Sequence, residues 1–240
     1  MIVLLTDFGL VDPYVGIMKA VIRSYNPTVE IVDLSHNVSP FHLRQAACML
    51  EDSWPHFPKK SLFLSVVDPG VGSQRNAIFL IWNGLGFVGP DNGIFTEVLK
   101  QKEVVAFKIP VEKRASPTFH GRDVFAPFAA RILKIPEIMY SLEPLNPDNL
   151  IRLPETKGFE IYYADHFGNL ITNQKHKNLS RKKWELSYEG KTLPKVKTFS
   201  ELKPQEIGVY FGSSGRLEIA IREGSAKNLN PSSFQFLVQK

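Results

Sequence analysis

A few short segments hold most of the side chains whose types and spacing suit chemistry. Thr6-Asp7-Phe8-Gly9 follows the first apolar run, Asp68-Pro69-Gly70-Val71-Gly72-Ser73-Gln74-Arg75 follows a later one, and Gly89-Pro90-Asp91-Asn92-Gly93 leads into a helical pattern. In open α/β sheets, ligands bind beyond the carboxyl ends of the strands, where such loops can aim side chains into one pocket. Glycine, proline and aspartate are also plain turn formers, so each loop taken alone has a structural reading too. His120 lies in Pro117-Thr118-Phe119-His120-Gly121-Arg122-Asp123, just before an apolar helical pattern. A lone histidine is more often structural, and its neighbours leave both readings open. Further along, Asp165-His166-Phe167-Gly168-Asn169 offers a carboxylate for an ammonium, an aromatic for a flat base and an amide for its polar edge. Its bland reading is a β-turn at Phe167-Gly168. The small residues of Phe211-Gly212-Ser213-Ser214-Gly215 would let backbone amides approach an anionic group.

Several chemistries are missing. No G-x-G-x-x-G follows the first strand, and no P-loop, G-x-S-x-G or H-E-x-x-H is present. The histidines (His36, His42, His56, His120, His166, His176) form no pair at metal-ligand spacing, so no metal is expected. A single cysteine, Cys48, rules out an internal disulfide and a cysteine-rich zinc site.

The elements that must carry these loops come from a chain of 240 residues, enough for one large domain or two modest ones. Hydrophobic residues make up 43% and charged residues 22%, which excludes a disordered tail or a fibre. No apolar run reaches the ~18 residues of a membrane span. MIVLLTDFG lacks a basic leader and meets an aspartate early, so no signal peptide is read and a cytoplasmic protein is expected. The net charge is +5, yet residues 174–197 alone carry eight Lys/Arg against Glu185 and Glu189, so the remainder is near neutral. Such a lobe could attract nucleic acid; its plainer reading is a solvated hairpin or loop.

Ile2–Thr6, Glu30–Leu34, Ser61–Val67, Ala77–Trp82 and Gly86–Val88 read as strands. Asp12-Pro13 reads as a helix cap with proline in the first turn, followed by Tyr14, Ile17, Met18, Val21, Ile22 and Tyr25 at helical spacing up to Asn26-Pro27. Phe41–Trp54, Gly93–Lys100 and Val124–Lys134 are further helical patterns. The alternation predicts a three-layer α/β domain with a largely parallel sheet over residues 1–150. After that come short strand candidates without a convincing helix: Phe159–Tyr163, Leu170–Thr172, Val209–Phe211, Arg216–Ile221 and Phe234–Val238. They predict a small β-barrel-like domain over 156–240.

Taken in order, the segments T-D-F-G, D-x-Y-V-G-x-M-K, V-V-D-P-G-V-G-x-x-R, P-D-N-G, T-F-H-G-R-D, D-x-F-G-N, and G-S with L-E-I-A and G-S-A extend from Thr6 to Ala226. Each is weak alone; the ordered series resembles the S-adenosyl-L-methionine (SAM) hydrolases that form adenosine, the SAM hydroxide adenosyltransferases, which share a superfamily with the fluorinases and chlorinases. The resemblance implies an N-terminal α/β domain, a C-terminal barrel-like domain and a homotrimer, with substrate between the N-terminal domain of one subunit and the C-terminal domain of its neighbour. It implies no cofactor, SAM being the substrate; from the residues themselves no membrane partner is expected and nucleic acid is the less favoured partner.

It also implies residue roles. Asp68, Arg75 and His120 match the triad that marks the hydrolase branch and is lost in the halogenating one. Asp7 matches the carboxylate taking the ribose hydroxyls, and Asp12 a nearby pocket acid that also has the helix-cap reading. Asp165 and Ser213 match residues holding the methionine amino and carboxylate groups, with Glu218 joining them. Phe119, Phe167, Asn169 and Phe199 match the adenine and ribose surroundings, and Ile221 a backbone at the adenine edge. Ser214 stands where the halogenating branch has an arginine, Ile171 where it has a tryptophan and Tyr14 where it has a serine. The expected reaction is in-line attack of water or hydroxide at ribose C5′. The alternatives are halide transfer on the same fold and a non-catalytic nucleoside- or nucleic-acid-binding protein.

Overall fold

The computed structural model describes residues 1–238. The chain divides into two compact units, Met1–Leu153 and Pro154 onward. Among the described residues no helix is long and apolar enough to cross a membrane.

The first unit runs β1 (Ile2–Thr6), α1 (Tyr14–Tyr25), β2 (Ile31–Ser35), α2 (Leu43–Ser53), β3 (Leu62–Val66), β4 (Ala77–Trp82), β5 (Leu85–Pro90), α3 (Thr96–Leu99), β6 (Val105–Ile109), α4 (Ala126–Lys134) and β7 (Glu143–Leu145). One sheet has the order β2-β1-β3-β5-β4-β6-β7. Strands β2, β1, β3 and β5 run parallel, β6 shares their direction, and β4 and β7 oppose it. Strand β1 is apolar at nearly every position because both of its faces are covered. Ile2 and Leu4 pack with Met18 and Ile22 of α1 and Ala129 of α4, whereas Val3 and Leu5 pack with Ala46 and Leu50 of α2 and Val98 of α3. Each such fully buried aliphatic contributes about 1.5–3 kcal/mol. The layers are therefore helix, sheet, helix, with the carboxyl ends of β1 and β3 opening into the polar loops.

Some local expectations change. Pro13, not Asp12, takes the cap position of α1 and makes no side-chain cap; its carbonyl receives the Ile17 N–H at 2.9 Å. Asp12 is exposed. Proline's preset φ of −75° opens this helix where a carboxylate cap was expected. The helix expected over 93–100 shrinks to Thr96–Leu99, because Gly93 lies in the left-handed region at φ +98° and cannot belong to a right-handed helix. Helix α4 is entered through a wide π turn, Gly121–Phe125.

In the second unit β8 (Ile161–Ala164) and β9 (Leu170–Lys175) are followed by the single turn α5 (His176–Leu179), β10 (Trp184–Tyr188), β11 (Lys191–Thr192), β12 (Ile207–Phe211), β13 (Arg216–Ile221) and β14 (Phe234–Val238). They form antiparallel sheets of order β12-β13-β9-β8 and β11-β10-β14. Leu186, Trp184 and Phe234 of one sheet meet Leu170, Val209, Leu217 and Ile219 of the other in one core. The basic stretch spans the end of β9 through β11. Lys195 folds back there, its ammonium 4.0 Å from the Trp184 ring centre and bonded to the Trp184 carbonyl.

Candidate active site

Asp68 and Arg75 sit in one loop after β3. Successive turns (Val71 N–H to Asp68 C=O, 3.2 Å; Ser73 N–H to Gly70 C=O, 3.1 Å) fold Arg75 back onto Asp68. Gly72 has φ +79°, and a Cβ there would lie 2.4 Å from the Pro117 carbonyl oxygen. This close approach carries the loop against the segment that bears His120. Arg75 Nε donates to Asp68 Oδ1 at 2.7 Å, and Nη2 donates to Asp68 Oδ2. Nη2 also reaches His120 Nδ1 at 3.0 Å, and Nη1 donates to the Asn76 carbonyl at 3.2 Å. Three residues spread over 52 positions of sequence thus form one hydrogen-bonded cluster. The Asp68 and Arg75 side chains are 5% and 6% exposed, which makes this a desolvated ion pair. The Arg75 guanidinium also lies over the Phe125 ring, 5.4 Å from its centre.

The cluster fixes the imidazole's state. A guanidinium only donates, so Nδ1 of His120 must accept, and the ring is neutral with its proton on Nε2. Burial pushes His120 below its ordinary 6.5, and the Arg75 charge adds to this against Asp68 and Asp123. Asp68 keeps lone pairs on both oxygens beyond those that Arg75 occupies. The π turn that follows His120 is a device common at functional sites.

Asp68 and His120 line a cleft of about 480 Å³ with Asp7, Tyr14, Phe41 and Phe119. Asp7 Oδ2 accepts the Phe41 N–H at 2.9 Å. Burial raises the Asp7 carboxyl above its ordinary value; the backbone N–H groups of Phe41 and Asp7 oppose this and the Asp68 charge reinforces it. Phe41 itself holds φ +65°, an uncommon conformation for a bulky residue and costly by about 1–2 kcal/mol. Phe8, Tyr14 and Phe119 meet edge to face in all three pairings, with centres 5.4–5.9 Å apart, and form an aromatic wall. Asp12 is not among the residues lining this cleft. The Gly89–Gly93 loop is structural: Asn92 Nδ2 holds the Val67 carbonyl at 2.9 Å, and buried Asp91 accepts the Ile151 N–H at 2.9 Å.

The remaining candidates lie in the second unit. Asp165 and Asn169 close the β8–β9 turn on each other. Asp165 Oδ1 accepts the Asn169 N–H at 2.8 Å, and Oδ2 accepts the Asn169 Nδ2 group at 3.1 Å. Phe167 stands at the tip of that turn, 77% exposed. Glu218 lies opposite Tyr210 in the β12–β13 register and hydrogen-bonds its phenol. Burial first, then Glu218 and Asp165, push the Tyr210 phenol well above its ordinary value. Ser213 is exposed in the turn joining β12 to β13, beside Gly212, where a Cβ would strike Glu218 Oε1. Ile221 ends β13, and its carbonyl accepts the Gly224 N–H at 3.1 Å. Phe199 lies at the same end of that hairpin, in a turn whose Ser200 and Leu202 carbonyls accept from Arg222.

Sequence reading did not assign a site role to Phe8, Phe41 or Tyr210, and it read Tyr14 as a helix position, part of the D-x-Y segment and a departure from the halogenating branch. The D-F-G and D-x-Y spacing was a usable signal for Phe8 and Tyr14. Nothing in the sequence marks the backbone strain at Phe41.

A desolvated Asp–Arg–His cluster in a cleft at the strand ends is an arrangement suited to acid–base chemistry on a small molecule. Comparisons with known proteins specify it further. The sequence model of the SAM hydroxide adenosyltransferase N-terminal domain matches residues 2–139, and that of the C-terminal domain matches residues 159–231. An (R)-S-adenosyl-L-methionine hydrolase of Thermus thermophilus is 39% identical over 93% of this chain and 92% of its own. One of Salinispora tropica is 34% identical over 93% and 91%. A fluorinase of Actinoplanes sp. is more distant, 24% identical over 91% and 90%. The crystal structure of an uncharacterized conserved protein from Thermotoga maritima superposes with a TM-score of 0.88 at 33% identity, covering both chains fully. The chain belongs to the SAM hydroxide adenosyltransferase family.

Proposed function

We propose that the protein hydrolyses SAM to adenosine and L-methionine by in-line attack of water on ribose C5′. The observation carrying this reading is the Asp68–Arg75–His120 cluster at the cleft. Methionine departs as a neutral thioether, so no acid need protonate it. The nucleophile is the difficulty, since free water has a pKa of about 15.7. Asp68 accepts a proton from the attacking water, and His120 Nε2–H donates a hydrogen bond to the same oxygen. Arg75 sets both: it orients the carboxylate and fixes the imidazole tautomer. Placing water in line with the C5′–S bond supplies several kcal/mol, about 7 in good cases. No step calls on a metal.

Asp7 takes the ribose diol, with Phe119 and the neighbouring rings against the nucleoside. Asp165, Glu218 and Ser213 take the amino-acid end, and Phe167, Asn169, Phe199 and Ile221 the base. Asp12 remains a candidate pocket acid. As in the resemblance, the active form is a homotrimer whose neighbouring copies complete each site, with SAM as the partner ligand and the cytoplasm as its place of action.

The test incubates the protein with SAM in heavy-oxygen water, with and without chloride or fluoride. Adenosine carrying the label at its 5′-hydroxyl, and a fall in kcat/KM of about 10²–10⁴ in Asp68→Asn, are expected. A 5′-halo nucleoside, unlabelled adenosine or an unaffected Asp68→Asn variant would overturn it.

A further inference from the structure

His36 is a buried histidine, 4% exposed, that the chemistry above does not use. Its Nδ1 lies 2.8 Å from the Thr6 hydroxyl. Its own carbonyl accepts the Gly9 N–H at 2.7 Å. Thr6 and Gly9 are the two ends of the Thr-Asp-Phe-Gly turn, so one residue clamps both sides of Asp7. Inside the turn, the Phe8 N–H donates to the Thr6 hydroxyl oxygen at 3.3 Å. On its far side His36 Nε2 faces Asp33 Oδ1 at 3.1 Å, without the alignment of a full hydrogen bond. Asp33 is anchored in turn by Lys19 of α1 at 2.5 Å. A carboxylate facing Nε2 favours the proton there, which leaves Nδ1 to accept from the Thr6 O–H.

The backbone explains how His36 comes to point this way. The β1–β2 register slips between Leu4, opposite Asp33, and Leu5, opposite Ser35. That bulge puts an extra residue in β2 and re-aims the residues after it, a role bulges often play beside active sites. Asp7 has a raised carboxyl in the cleft and one backbone N–H from Phe41 on Oδ2, so its aim depends on the turn that carries it.

We infer that His36, through Thr6, is a positioning residue that aims the Asp7 carboxylate at the ribose diol of the substrate. The inference rests on the proposed reading of Asp7 as the diol acceptor. Its signature is specificity for the ribose hydroxyls, which a role in stability alone would not touch.

The experiment compares SAM with its 2′-deoxyribose analogue as substrates of wild type, Thr6→Val, Thr6→Ser and His36→Gln, with melting temperature as the folding control. Thr6→Val keeps the shape and the strand and removes the hydroxyl. Wild type should prefer SAM by about 10- to 100-fold in kcat/KM, the worth of a charged hydrogen bond. Thr6→Val and His36→Gln should each lose most of that preference through KM, with kcat changed less. Thr6→Ser should restore it, and the double variant Thr6→Val/His36→Gln should be no worse than either single change. Folded variants that keep the wild-type preference would overturn the inference while leaving SAM hydrolysis standing. A wild type without the preference would overturn it together with the Asp7 reading, and a wild type that leaves SAM intact would overturn the hydrolase reading itself.

Discussion

The hydrogen bond between Arg75 and His120 makes a sharp claim about pH. If Nδ1 accepts from the guanidinium at 3.0 Å, the ring must be neutral and its Nε2 protonated. A base acting through Nε2 would need the other tautomer, with Nδ1–H facing an N–H of Arg75. That arrangement forfeits a charge-assisted hydrogen bond of about 1.5–3 kcal/mol, so it is roughly 10- to 150-fold rarer. In the proposed reaction His120 therefore serves as a donor, and a donor can be imitated. His120→Gln, whose amide N–H falls near the Nε2 position, should lose no more than about tenfold in kcat. His120→Ala should lose about 10²-fold, since the attacking water then lacks the hydrogen bond that aims it.

The pH profile is set by the same geometry. Burial, then Arg75, hold His120 below 6.5, so the active neutral ring persists through that value as pH falls. Adenosine release, followed chromatographically between about pH 5 and 8, should be flat across 6.5 and decline only below it. Stability moves in the same direction. The unfolded chain binds the proton more readily, so the contribution is complete above 6.5 and is lost as pH falls towards the folded value. The acid limb should vanish in both variants, and the reasoning is refuted if His120→Gln is as impaired as His120→Ala, since an amide donor imitates a donor and not a base.

Two other substitutions test neighbouring inferences. Asp7→Asn removes a carboxyl that burial and Asp68 both hold above its ordinary value, so the free protein should melt no lower than wild type while KM for SAM rises about tenfold or more; a lower melting temperature with unchanged KM would refute this. Gly212→Ala would put a Cβ 1.7 Å from Glu218 Oε1, the movable end of that side chain, so the fold should tolerate it while KM rises; calorimetry and steady-state kinetics separate this from simple destabilisation.

The first unit was readable because its central strands β1 and β3 are buried on both faces and its helices on one. Ile2–Thr6 and Tyr14–Tyr25 follow from apolar run and period alone. Strand β6 was not anticipated: exposed Val105 and Lys108 interrupt its apolar pattern, which suits its place towards the edge of the sheet. In the second unit, Trp184–Tyr188 hides in the basic stretch because β10 alternates, burying Trp184 and Leu186 while Glu185 faces water. At the site, types and order were legible, but distances were not. Gly72 against Pro117 is a contact between segments 45 residues apart, and the clamp of His36 on Thr6 needs a bulge that no local pattern announces.

The charge arrangement also bears on which nucleophile the cleft admits. The donors of Arg75 go to Asp68, His120 and the Asn76 carbonyl. The cleft is therefore lined by the Asp68 and Asp7 carboxylates, a neutral imidazole and the Arg122 guanidinium, which is itself paired with Asp123. A halide ion about 4 Å from Asp68 would be repelled by about 4 kcal/mol at an effective dielectric of 20, of which the paired Arg75 charge, about 6 Å away, returns about 3, leaving about 1 kcal/mol against it. Water brings no charge, gains a hydrogen bond from each partner and can surrender a proton to Asp68 as it attacks. The sulfonium gains from the same negative field, which strengthens as bulk water leaves the cleft. Asp68→Asn keeps Arg75 and removes the charge paired with it, so in the proposed reaction this variant should lose hydrolysis by about 10²–10⁴-fold and at the same time relax the exclusion of halide.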